Sequence, residues 1–77
     1  MIEEKINEIL LEINDEIEGY QGSDFFEDGL LDSLNFVDLV AELGDAFNIS
    51  IPTKYLKPDF FKNKESIAKL INELTNK

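Results

Sequence analysis

Asp28-Gly29-Leu30-Leu31-Asp32-Ser33-Leu34 runs directly into Asn35-Phe36-Val37-Asp38-Leu39-Val40-Ala41-Glu42-Leu43-Gly44-Asp45-Ala46-Phe47. The first seven residues read as a turn that ends in a helix cap. Asp32 is a good N-cap, because its carboxylate can accept the free backbone amides of a first turn. From Ser33 to Phe47 the apolar residues recur at helical rather than strand spacing. Phe36, Val37, Leu39, Val40, Leu43 and Phe47 form one apolar face, with Val37 at its edge, where packing is its simplest role. Asp38, Glu42 and Asp45 fall together on the other face, and Leu34 and Ala41 lie with them. Gly44 weakens the interior of this helix slightly.

Outward from that helix, the spacing predicts two more. Ile2, Ile6, Ile9, Leu10, Ile13 and Ile17 recur every three or four residues over 2–17, in a stripe roughly 100° wide. Gly19 and Gly22 then end that helix. Ile67, Leu70, Ile71 and Leu74 give a face to a last helix over 64–75, with Asn63 as its cap. Pro58 can open a short helix over 59–62. Ile49-Ser50-Ile51-Pro52 alternates too briefly for a sheet. A long loop over 18–32 carries Tyr20, Phe25, Phe26, Leu30 and Leu31. Loops of this length inside a compact domain are functional or packed by their own side chains. The expected fold is all-α, a bundle of three main helices and one short helix, in a single domain over 1–77.

Seventy-seven residues with no cysteine and no histidine leave neither a disulfide nor a structural zinc to brace the chain. Helix packing must do so. The net charge is −10, and it is uneven. Residues 1–45 hold fourteen acids and one lysine, whereas residues 46–77 hold three acids and six lysines. Such a charge disfavours nucleic acid and anionic membrane as partners and favours a protein with a basic surface docking on the first two-thirds of the chain. No basic start followed by an apolar run marks a secretory signal. No stretch approaches the ~20 apolar residues of a membrane span. The expectation is a cytoplasmic monomer without membrane insertion.

Side-chain catalysis finds little to work with. Histidine, cysteine and arginine are all absent, and carboxylates on a solvated helix face are usually only that. Asp24, Asp28 and Gly29 match three positions of a calcium loop. Phe26 and Asn35 stand where further ligands would be needed, so the donor count fails. Asp32-Ser33 on its own is no more than a helix cap.

In context it is more. Glu27-Asp28-Gly29-Leu30-Leu31-Asp32-Ser33-Leu34, followed by Val37 and Leu39, resembles the attachment site of the acyl carrier protein family. The resemblance extends over nearly the whole chain, through the acidic second helix, the Ile51-Pro52 step and the short helix before the last. It implies an acyl-carrier-like bundle, a covalent shuttle rather than an enzyme. In such a protein Ser33 carries 4′-phosphopantetheine, transferred from coenzyme A by a phosphopantetheinyl transferase. Acyl or aminoacyl groups ride on the arm as thioesters. Leu34, Asp38, Ala41, Glu42 and Asp45 would meet partner enzymes, namely an acyl or aminoacyl ligase and an acyltransferase or synthase with a basic docking surface.

Within the family, fatty-acid-type carriers usually have an acidic segment after Ile-Pro. Here it is Thr53-Lys54-Tyr55-Leu56-Lys57-Pro58-Asp59-Phe60-Phe61, basic and aromatic. D-alanyl carrier proteins, which serve teichoic acid D-alanylation, resemble this chain there and in Gly29-Leu30-Leu31-Asp32-Ser33. Asn35-Phe36 departs from the small, threonine-rich residues common after the serine. The resemblance therefore points to a D-alanyl-like or other dedicated carrier before a fatty-acid-synthesis carrier. In a fatty-acid carrier the chain hides between the helices, and Phe36, Phe47, Phe60 and Phe61 are candidates to fill that space. The rival of another class is a helical interaction module that is never modified.

Overall fold

A computed structural model describes residues 2–76. It is a three-helix bundle with connecting 3₁₀ turns, and no strand occurs among the described residues. Helix α1 spans Ile2–Ile13, α2 Ser33–Phe47 and α3 Lys64–Thr75. α1 packs against both other helices and so forms the spine of the bundle. Ile6, Ile9 and Leu10 from α1, Leu39 and Leu43 from α2, and Ile67, Leu70 and Ile71 from α3 make one buried core. Each helix contributes one apolar stripe, and no stripe has any other way to leave water.

The first helix is shorter than its periodicity predicts. It stops at Ile13, and a separate 3₁₀ turn covers Asp15–Ile17. The break lies at Asn14, whose backbone is extended (φ −154°, ψ 109°) and whose side chain accepts the Glu16 N–H at 2.9 Å. Asparagine competes with the helix for backbone groups and so favours caps over interiors. Ile17 still reaches the core, fully buried, because the 3₁₀ turn carries it there. The short helix near residue 60 is a 3₁₀ turn over Pro58–Phe61, opened by its proline. A second 3₁₀ turn, Thr53–Tyr55, follows Pro52.

Val37 does not pack. It is 64% exposed, against the expectation that it edges the core. Two residues before Leu39 is about 160° around the helix, and Leu39 and Leu43 define the buried line. The C-terminus of α2 is closed by Asn48 in the left-handed region (φ 55°), a conformation asparagine tolerates better than most residues. The Ile49 N–H donates to the Gly44 carbonyl there, at 3.0 Å.

The loop over 18–32 is pinned, as its apolar residues suggest. Phe25 and Leu31 are buried in the core. Asp24 caps a tight turn by accepting the N–H groups of Phe26 (2.9 Å) and Glu27 (3.2 Å). Gly29 leaves that turn at φ +79°, where an L side chain would be strained.

Candidate functional site

Ser33 is the first residue of α2 and is exposed. Its position is fixed by a reciprocal cap. The Asn35 N–H donates to the Asp32 carboxylate at 2.9 Å, and the Asp32 N–H donates back to Asn35 Oδ1 at 3.3 Å. Asn35, a departure from the common carrier pattern, is thus half of a capping box. The amides of Ser33 and Leu34 have no intrahelical acceptor, since the first turn of any helix leaves its donors free. Among the described residues no hydrogen bond engages the Ser33 hydroxyl. The site therefore combines a free hydroxyl with a helix start, which favours an attached anion by about 0.3–1 kcal/mol. A phosphodiester on Ser33 fits these residues: nothing in the cap has to be undone to make room for it, because Asp32 rather than Ser33 caps the helix.

Beside Ser33 lies an apolar stripe with acids along one side. Leu34 is 77% exposed and Val37 64% exposed, and Ala41 is exposed in the same line. Their spacings of three and four place them one above another on α2. Asp38, Glu42 and Asp45 flank the stripe, all exposed. A groove of about 560 Å³ brings Asp38, Ala41, Glu42 and Asp45 together with Glu12 of α1. A neighbouring groove of about 650 Å³ joins Glu42 and Asp45 to Glu8 and Glu12. Of the five residues expected to meet partners, Asp38, Ala41, Glu42 and Asp45 line the first groove, and Leu34 stands exposed on the same side of α2 outside it. The exposure of Val37 and the grooves that Glu8 and Glu12 line beside α2 were not expected from reading α2 alone. The two glutamates stand at i and i+4 on the polar side of α1, which was visible, but nothing in the sequence says which other helix that side adjoins.

The space behind Ser33 is occupied by rings. Phe36, one turn into α2, lies 5.9 Å from Phe26 of the loop and 5.2 Å from Phe61, both edge to face. Phe61 is fully buried, and Phe36 and Phe47 are half-buried against the core. Phe60 does not join them. It turns outward and meets Tyr55 at 5.2 Å, because successive residues of a tight 3₁₀ turn point about 120° apart.

On the far side of the loop, the Tyr20 hydroxyl accepts the Asp24 N–H at 3.1 Å and donates to the Asp28 carboxylate. Partial burial of the ring, and then the bond to Asp28, raise the hydroxyl above its usual value near 10. Gly22 has no Cβ because one would collide with this Tyr20–Asp28 pair. Asp24 and Asp28 are thus committed to turn and tyrosine contacts, and no cluster of potential metal ligands occurs among the described residues.

Residues 4–74 match the family described as the phosphopantetheine attachment site. The chain belongs to that family. Its relatives include a D-alanyl carrier protein of Leuconostoc citreum, 32% identical over 95% of both chains. Another D-alanyl carrier protein, of Leuconostoc mesenteroides, is 34% identical over 95% of both chains. A third, of Streptococcus gordonii, is 30% identical over 95% of this chain and 89% of its own. A phosphopantetheine arm brings its own thiol, so the absence of cysteine is compatible with this family. No helix among the described residues is long and apolar enough to cross a membrane.

Proposed function

We propose that this protein is a D-alanyl carrier, with its arm on Ser33 and its partners docking on the exposed face of α2. The match to D-alanyl carrier proteins over nearly the full length of the chain carries this reading. The aromatic wedge supports it: with Phe26, Phe36 and Phe61 filling the interior behind Ser33, cargo stays outside the bundle, and a small polar aminoacyl group is suited to water. From the Ser33 side chain itself, attachment needs exposure rather than activation. The Ser33 oxygen bonds to phosphorus, adenosine 3′,5′-bisphosphate leaves coenzyme A, and the hydroxyl proton passes to a base on the transferase. Once attached, the arm supplies the thiol that holds D-alanine as a thioester. Leu34, Val37 and Ala41 give partners an apolar contact, and Asp38, Glu42 and Asp45 steer a basic surface onto it. The partners are a phosphopantetheinyl transferase, a D-alanyl ligase and a downstream acyltransferase. The work is cytoplasmic, where coenzyme A and the ligase's adenylate are available, and teichoic acid D-alanylation is the pathway the family resemblance implies.

Intact mass tests both halves. Coenzyme A, magnesium and a broad-specificity transferase should add one phosphopantetheine to the chain and none to Ser33→Ala. A D-alanyl ligase with ATP should then add one alanyl group and no fatty acyl group. No gain with several transferases would leave an unmodified interaction module. Attachment without alanylation would overturn the cargo.

A further inference from the structure

We propose that Asn14 and Asn63 are positioning residues that clamp the 18–32 loop and thereby set how Ser33 is presented to the transferase; this rests on Ser33 being the attachment residue. Each asparagine does two jobs at once. Asn14 Oδ1 accepts the Glu16 N–H at 2.9 Å while Asn14 Nδ2 donates to the Leu30 carbonyl at 2.9 Å. Asn63 Oδ1 accepts the Ser66 N–H at 2.8 Å while Asn63 Nδ2 donates to the Ser23 carbonyl at 3.0 Å. In both, one amide atom meets a donor and the other an acceptor, so the orientation of each amide is fixed by its partners.

The two clamps hold opposite ends of the same loop. Asn63 holds its early part, where the Phe25 N–H also donates to the Lys62 carbonyl at 2.7 Å. Asn14 holds its late part at Leu30, three residues before Ser33. Between them, the Leu30 and Leu31 N–H groups both donate to the Phe25 carbonyl, at 2.8 and 3.2 Å. The loop is thus stretched from the start of α3 to the end of α1, with the attachment residue at its exit.

Residue chemistry separates this role from capping. As caps alone, aspartate, serine and asparagine are nearly interchangeable. Only asparagine also offers a donor with the reach to a second carbonyl. Aspartate at 14 would keep the cap and set a carboxylate against the Leu30 carbonyl, two acceptors with no proton between them. Serine would keep the cap, add no charge and fall short of Leu30.

Asn14→Asp and Asn14→Ser, with Asn14→Ala as the variant that loses both jobs, test the idea. Phosphopantetheine transfer to each apo protein is followed with coenzyme A saturating, alongside amide exchange and thermal melting. Both capped variants should raise the transferase KM for the carrier by up to about fivefold, the most that losing one typical net hydrogen bond can lower the competent fraction, with kcat unchanged. That is the signature of a smaller fraction competent to bind. The Leu30 and Leu31 amides should exchange faster, and melting should fall less than in Asn14→Ala. Asn63→Asp should loosen the Phe25 amide in the same way. Unchanged exchange at Leu30 and Leu31 would overturn the clamp. Faster exchange with an unchanged KM would overturn its role in presentation. If the unsubstituted chain itself takes no arm, the carrier reading fails, and the exchange data still report on the clamp alone.

Discussion

Replacing Phe36 by alanine should open the space behind Ser33 to an acyl chain that the rings otherwise shut out. The ring stands one turn from Ser33, wedged between Phe26 and Phe61. Each edge-to-face contact is worth about 0.5–1.5 kcal/mol beyond burial. Loss of a fully buried phenylalanine costs about 3–5 kcal/mol, and Phe36 keeps some exposure, so the cost should lie at the low end, about 3 kcal/mol. A 77-residue chain has a total stability of about 4–12 kcal/mol, so the variant should remain folded. The assay is an amide and methyl NMR comparison of the octanoyl and apo forms. In the natural sequence, shifts on octanoylation should stay near Ser33 and the exposed stripe. In Phe36→Ala they should spread to Leu39, Leu43, Phe61 and Ile67. Broad core shifts in the natural sequence would refute the argument that the wedge closes the interior.

Four further outcomes follow from the geometry. Ser33→Ala should melt within about 0.5 kcal/mol of the natural chain, since Asp32 is the cap. Asp32→Ala should cost about 1 kcal/mol, a fall of about 4–8 °C in Tm, and calorimetry showing no fall would discount the capping box. Reversing Asp38 and Glu42 to lysine together should slow ligase loading about tenfold at low salt and flatten its salt dependence; an unchanged rate would remove α2 from the docking face. For Tyr20, the protonated hydroxyl is the form that donates to Asp28, and its folded value lies above 10. The stability it adds is therefore complete below pH 10 and is lost as pH rises through the folded value. A phenolate absorbance titration, read as the difference from Tyr20→Phe, should show the late step, and Gly22→Ala should erase it.

Much of this was legible because helical periodicity is a local property. The core faces of α2 and α3 and the acidic outer face can be counted off on a wheel, and the Asp32 cap and the pinned loop show in the residue types of their own short stretches. The errors came where one residue answered to two masters. Ile17 kept the α1 rhythm, so the stripe ran on past Asn14, although the chain there leaves the helix to reach Leu30. Val37 was drawn toward the core by its apolar type, whereas the line through Leu39 and Leu43 leaves it in water. Glu8 and Glu12 line grooves with Glu42 and Asp45 only because α1 lies beside α2, and the packing of neighbouring helices is not written in either helix alone. Asn35 read as a departure from a pattern until its side chain was found on the Asp32 amide.

The stripe of Leu34, Val37 and Ala41 carries a hazard as well as a use. Apolar side chains in a row on a monomer's surface are what crowded solutions select for clumping. Two copies meeting stripe to stripe with α2 antiparallel would press Asp38, Glu42 and Asp45 of one against the same residues of the other. The acids thus act as bumpers against self-recognition, and a basic partner is the visitor they do not repel. In about 1 M salt, where charges are screened within about 3 Å, the bumpers fail and the carrier should begin to pair with itself.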